Sequence, residues 1–213
     1  MTTDTTVLDG LDFPTPPLAV ADDVADLLFR EARTAGSFDP RPVPDAQLQA
    51  AYDLAKWGPT AMNTTPLRIL VVRDAEARAR LAAHLNEPNR DRTLAAPVSL
   101  VLAADTRFHE HLPVLAPHRA GMAAPLEADP ARREAMARQG AWLQAGYLVV
   151  ALRAVGLAVG PMAGMNTAGI DDDLLAGTGW RSFLVLNLGQ ADGAQYPFPR
   201  AARLGWDDVA RTL

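Results

Sequence analysis

The run from Asp129 to Gly156 constrains this chain more than any other stretch. Asp129-Pro130 pairs an N-cap aspartate with a proline at the first helical position, and no further proline follows before Gly156 supplies a stop. The pattern predicts one long helix over 129–155. Its second half, Ala141-Trp142-Leu143-Gln144-Ala145-Gly146-Tyr147-Leu148-Val149-Val150-Ala151-Leu152, is apolar around nearly the whole circumference, which marks a helix buried on most faces. Gly146 among alanines permits a second helix to approach closely. A membrane span is not expected, because Gln144 and Arg153 interrupt the run short of the ~18 apolar residues that a bilayer requires.

A helix of that kind needs a layer to cover it, and the rest of the chain offers short apolar strands. Leu67 to Val72, Pro97 to Ala104 and Phe183 to Gly189 are β-rich runs bounded by turn residues. Helices alternate with them. Pro44 and Asp45 open one with Leu48, Ala51, Tyr52 and Ala55 on a single face. Another follows Asp22-Asp23 with Val24, Leu27, Leu28 and Ala32 in step. A third covers Ala75 to Leu85 until Asn86-Glu87-Pro88-Asn89 breaks it, and a short one lies around Ile170 to Leu175. Three buried strands among helices predict an α/β or α+β class with a small covered sheet. Residues 1–20, with Pro14, Pro16 and Pro17, read as an extended arm, and 21–213 as a single domain.

The formal charge of −5, from 20 basic and 25 acidic side chains, provides no electrostatic footprint for nucleic acid or an anionic membrane. With no cysteine in the chain, disulfides, thiolate catalysis and iron–sulfur ligation are excluded. Met1-Thr2-Thr3-Asp4 lacks the features of a signal peptide, so a soluble cytoplasmic protein is expected. Gly-x-Gly-x-x-Gly and Gly-x-x-x-x-Gly-Lys-Ser/Thr are both missing, so any nucleotide must be held by another geometry than a Rossmann turn or a P-loop.

The stretch Lys56-Trp57-Gly58-Pro59-Thr60-Ala61-Met62-Asn63-Thr64-Thr65-Pro66 turns a helix into a small polar loop feeding a strand. Its hydroxyls and carboxamide suit a heteroaromatic ligand rich in hydrogen-bonding atoms. Read in order, Ala32-Arg33-Thr34, Trp57-Gly58-Pro59-Thr60-x-x-Asn63, Asn89-x-x-Arg92-x-Leu94-x-Ala96-Pro97 and Gly156-Leu157 with Gly160-Pro161-Met162-x-Gly164 resemble the flavin-dependent nitroreductase family over residues 24–213. More narrowly, Phe108-x-x-x-Leu112-Pro113-x-Leu115-x-Pro117-His118 and Arg200-x-x-Arg203-Leu204 are similar to the malonic semialdehyde reductases of pyrimidine degradation.

The resemblance implies an α+β fold, an obligate homodimer, and two FMN molecules at the subunit interface. It places Arg33 and Thr34 on the FMN phosphate or ribityl chain and Arg203 on the same phosphate, with Arg200 as an additional partner. Guanidinium forks suit a doubly charged phosphate. Asn89 and Arg92 match a pair at the pyrimidine edge of the flavin, with arginine here where many relatives carry lysine. Thr60, Ala61 and Asn63 match a loop reaching in from the second subunit. Pro161, Met162, Ala163 and Gly164 match the segment along one ring face, with the Ala163 backbone N–H toward flavin N5. Relatives often carry an acid at that position.

The implied chemistry belongs to the flavin: NAD(P)H reduces it, departs, and a second substrate accepts the electrons in ping-pong order. For the branch, that substrate is malonic semialdehyde, reduced to 3-hydroxypropionate, with Arg119 beside His118 meeting its carboxylate. The sequence departs from the branch pattern from Ala116 to Asp129, within the insertion 106–128. A general nitroarene or quinone reductase and a non-catalytic flavin-binding protein remain alternatives. A metal hydrolase built on His109-Glu110-His111 and His118 is disfavoured, because helical zinc pairs sit four residues apart, and no metal is expected.

Overall fold

The long helix is capped as its sequence implies. The Asp129 carboxylate accepts the backbone N–H of Arg132 at 3.0 Å, and Gly156 leaves the last turn in the left-handed region at φ 83°. A computed structural model of the chain describes residues 18–194 and 199–213. Along the chain, α1 (Asp22–Ala25) continues into a wider π turn (Asp26–Arg30), followed by α2 (Asp45–Ala55), β1 (Leu67–Val72), α3 (Ala75–Ala83), α4 (Glu87–Ala95) and β2 (Val98–Asp105). Next come α5 (Leu112–Leu115), α6 (Ala123–Ala128), the long α7 (Pro130–Ala154), β3 (Ala158–Met162), α8 (Thr167–Leu174), β4 (Trp180–Gly189) and α9 (Trp206–Val209). Of the expected arm, residues 1–17 lie outside those described.

The strands form one antiparallel sheet in the order β1-β2-β4-β3, so the class is α+β. The sheet has four strands, not three. The added strand, β3, contains Gly160 and Pro161, which weaken its strand propensity. Proline is tolerated there because β3 pairs with β4 alone among the strands, and edge strands can spare a donor.

The two faces of the sheet are covered differently. Leu100, Leu102, Leu184, Leu186 and Leu188 pack with α2 and α7 in the larger core. Val101, Ala103 and Val185 alternate to the other face, against Leu81 and Leu85 around α3 and Ile170 of α8. Leu148 and Leu152 of α7 are 1% and 0% exposed, and such burial contributes roughly 1.5–3 kcal/mol per side chain. Gln144, also on the buried stripe of α7, accepts the backbone N–H of Leu67 at 2.9 Å. Its amide registers the helix on the sheet.

The expectation that α7 is buried on most faces needs correction. Ala141, Gln144, Ala145, Leu148, Ala151 and Leu152 are buried, but Trp142, Leu143 and Tyr147 are 41%, 48% and 44% exposed. A side chain at Gly146 would meet no atom within 4 Å. Among the described residues, α7 therefore carries a second apolar stripe that is only partly covered. No helix of the described residues is long and apolar enough to cross a membrane.

Residues 106–122 fold as short helical turns anchored by Phe108 and Leu112, both 0% exposed. Leu126 of α6 is likewise buried. Between these anchors and α7, His109 Nε2 lies 2.6 Å from Glu127 Oε2, which also accepts from Arg133. The histidine hydrogen bond, followed by the Arg133 charge, holds the Glu127 carboxyl below its ordinary range.

Candidate functional site

Beyond β3 the sheet is extended by the segment that follows the π turn. Thr34 bridges Val159 in parallel, and the Ala35 N–H donates to the Val159 carbonyl at 2.9 Å. Gly160 makes this approach possible. A Cβ there would stand 2.6 Å from the Ala35 carbonyl oxygen, and backbone cannot move aside as a side-chain tip can. Gly160→Ala is expected to lower stability by about 1–3 kcal/mol in urea unfolding, because it forces the 32–36 segment off the sheet edge. An unchanged unfolding midpoint would show that the segment yields freely.

This edge carries a cluster of cations. A cavity of ≈380 Å³ is lined by Arg33, Thr34, Arg153, Arg200 and Arg203, with the rest of its wall formed by alanine and proline. No carboxylate lines it among the described residues. Arg200 donates to the Ala32 carbonyl, Arg153 to the Leu28 carbonyl, and Arg203 to the Ala201 and Ala202 carbonyls, all at 3.0 Å. The acceptors of Arg153, Arg200 and Arg203 are thus neutral backbone carbonyls. Burial, then the nearby Arg200 charge, pushes the Arg153 guanidinium below its ordinary pKa.

An adjoining cavity of ≈620 Å³ shares Arg33, Thr34 and Arg153 and reaches Val159, Asp192 and Arg92. Its Asp192 carboxyl is held below the usual range by the Ser37 hydroxyl and by the Ala194 N–H. Arg33, Thr34, Arg92, Arg200 and Arg203, singled out in the sequence, thus line two contiguous hollows.

Asn89 and Gly164 meet nearby, with Asn89 Nδ2 donating to the Gly164 carbonyl at 3.2 Å. Pro161 and Met162 end β3, and Ala163 follows them exposed. Thr60, Ala61 and Asn63 line neither cavity. Their loop is held by left-handed backbone at Met62, Asn63 and Thr65 (φ 54°, 53° and 37°) and by Asn63 Nδ2 donating to the Leu115 carbonyl at 2.7 Å. His118 and Arg119 are exposed on the turn Pro117–Met122 and line neither cavity.

Arg153 is the residue that sequence reasoning missed, since it served only to interrupt an apolar run. A cation in the last turn of a helix usually faces that helix's own carbonyls. Here it reaches a carbonyl of another segment and the cavity, which only the fold reveals. The histidines that suggested a metal go different ways: His109 pairs with Glu127, while His111 lies 3.7 Å from Asp105.

Comparison with known proteins agrees with this architecture. Residues 30–190 match the profile of the nitroreductase family. A protein of Streptomyces coelicolor, provisionally named an NADH dehydrogenase/NAD(P)H nitroreductase, is 51% identical over 177 residues, covering 83% of this chain and 87% of its own. A protein of Leptothrix cholodnii with the same provisional name is 47% identical, covering 87% and 94%. Among solved structures, a nitroreductase-family protein of Streptococcus pneumoniae aligns at TM-score 0.75 and 21% identity over 87% of this chain and 98% of its own. One from Exiguobacterium sibiricum, provisionally a nitroreductase and solved in complex with FMN, aligns at TM-score 0.75 and 18% identity over 92% and 99%.

Proposed function

The chain belongs to the nitroreductase family, and from that premise we propose that it is an FMN-dependent NAD(P)H oxidoreductase in which residues 21–213 act as one domain. The observation that carries this reading is the convergence of Arg33, Arg153, Arg200 and Arg203 on one cavity. Like charges crowded together destabilise a fold unless an anion relieves them, and the phosphate of FMN is such an anion. The residues present fit the group.

Arg33, Thr34, Arg200 and Arg203, joined by Arg153, would hold the phosphate. Arg92 and Asn89 would meet the pyrimidine edge, and Pro161, Met162, Ala163 and Gly164 one ring face. Bound FMN supplies the redox chemistry, taking a hydride equivalent from NAD(P)H and passing it to an acceptor. The protein's part is orientation and electrostatics. Arg92 would supply positive charge to the pyrimidine edge, and the Ala163 N–H would be a donor toward N5. Ala163 has no acidic side chain, so the proton completing acceptor reduction comes from elsewhere than this position.

The dimer belongs to the same proposal. The partly exposed stripe Trp142, Leu143, Gly146 and Tyr147 would be the surface for a second copy, whose Thr60, Ala61 and Asn63 would complete the flavin site. Provisional naming of the Streptomyces and Leptothrix relatives for NAD(P)H nitroreduction supports the choice of electron donor. For the acceptor we propose malonic semialdehyde, on the resemblance of the 108–118 and 200–204 segments. The exposed Arg119 is the cation offered to its carboxylate.

Purified protein is expected to show a flavin spectrum that bleaches when NADH or NADPH is added without oxygen. Colourless protein that neither binds FMN nor oxidises NAD(P)H overturns the reading. Re-oxidation by malonic semialdehyde faster than by a quinone or nitroarene supports the aldehyde acid. The reverse order favours a general reductase.

A further inference from the structure

We propose that Asn187 is a positioning residue, which from near the end of β4 fixes α4 and the end of β3 as one unit beneath the pyrimidine edge of the flavin. The inference rests on the FMN reading for its functional meaning but not for its structural content. Asn187 is 1% exposed, and it follows the apolar run Phe183 to Leu186 and precedes Leu188 on β4. Its side chain faces the opposite side of the sheet from those of Leu186 and Leu188. A buried amide is costly unless every polar atom finds a partner, and here both ends do.

On the oxygen side, Ser99 Oγ donates to Asn187 Oδ1 at 2.7 Å. On the nitrogen side, Asn187 Nδ2 donates to Thr93 Oγ1 at 3.1 Å and to Met162 Sδ at 3.7 Å. Thr93 Oγ1 also lies 3.2 Å from Oδ1, so the hydroxyl straddles the amide. Ser99 and Thr93 are both 0% exposed. The three tied segments differ in consequence. Ser99 belongs to β2, whose strand partners are β1 and β4. Thr93 belongs to α4, one residue after Arg92 and one helical turn after Asn89. Met162 is the last residue of β3 and leads directly into Ala163 and Gly164.

A second tie joins the same two segments from outside. The Gly164 carbonyl accepts from Asn89 Nδ2 at 3.2 Å and from the backbone N–H of Asn86 at 3.1 Å. With an inner bond set at Asn187 and an outer one at Gly164, α4 and the 162–164 segment cannot shift independently. Apolar packing alone would hold α4 against the sheet but would not set its register. The amide therefore specifies where Arg92 and Asn89 stand relative to the Ala163 N–H.

Three variants of the full chain separate positioning from mere stability. Thr93→Val removes the hydroxyl that links α4, Thr93→Ser retains it, and Ser99→Ala removes the shortest bond of the network without touching either flavin segment. The two readouts are FMN affinity and backbone hydrogen exchange of flavin-free protein in 87–95 and 163–165. Thr93→Val is expected to weaken FMN about tenfold and to speed exchange in both segments together. Thr93→Ser should remain within about threefold of the parent, which is under 1 kcal/mol. Ser99→Ala should lower global stability while leaving FMN affinity and exchange at 163–165 at parental values. Equal effects of Thr93→Val and Ser99→Ala, or unchanged exchange at 163–165 in Thr93→Val, would overturn the proposal. A parent that binds no FMN removes the cofactor reading, and the exchange data then still decide the coupling.

Discussion

Replacing Arg33 and Arg203 together by glutamine is expected to weaken FMN binding about a hundredfold, while riboflavin binds the variant within about threefold of the parent. A hydrogen bond to a charged partner contributes about 1.5–3 kcal/mol. Arg33 is half-buried and Arg203 exposed, so the lower end applies, and two such losses make about two decades in affinity. Riboflavin has the same ring and ribityl chain but no phosphate. It reports whether the arginines read the phosphate or merely hold the cavity open. Melting curves of the flavin-free double variant check that a loss of affinity is not a loss of folding. Fluorescence titration with both flavins, with melting curves of flavin-free protein, provides the test. Equal losses for FMN and riboflavin would move the phosphate elsewhere.

Much of the frame was legible because it depends on local rules. Asp129-Pro130 and Gly156 bound α7, and the β-branched runs became β1, β2 and β4. The polar loop after α2 is also where its sequence puts it, with Gly58 small because the ring of Tyr147 lies against it: a Cβ would stand 2.7 Å from Tyr147 Cγ. What stayed hidden depends on long-range placement. β3 has no strand signature of its own, since Gly160 and Pro161 weaken its propensity, and it exists through pairing with β4 and the close pass of Ala35. Arg153 acquires meaning only when the 199–203 segment comes to the end of α7. Asn187 reads as an ordinary polar interruption until Ser99, Thr93 and Met162 converge on it from β2, α4 and β3. Periodicity shows that a face is apolar, but not which molecule covers it. This is why α7 read as buried on most faces although Trp142, Leu143 and Tyr147 are partly exposed in one chain.

Gly146→Glu should settle what covers that surface, because the two possibilities predict opposite signs. In an isolated chain a Cβ at position 146 meets nothing, and glutamate is the better helix former, so the variant would be more stable by about 0.5–1 kcal/mol. If a second copy packs there, the glutamate enters an apolar seam between Leu143 and Tyr147 of one chain and the corresponding surface of the other. An unpaired buried charge at such a site costs several kcal/mol. The dimer reading therefore predicts monomers in sedimentation at concentrations where the parent is dimeric. It also predicts loss of FMN, since Thr60, Ala61 and Asn63 would no longer be supplied from the partner. The neighbouring surface supports that outcome: Trp57 is 81% exposed and Leu54 54% exposed beside the same helix pair, and large apolar groups clustered on a surface mark an interface. A Gly146→Glu protein that remains dimeric, retains FMN and melts higher than the parent would place the subunit contact on another face.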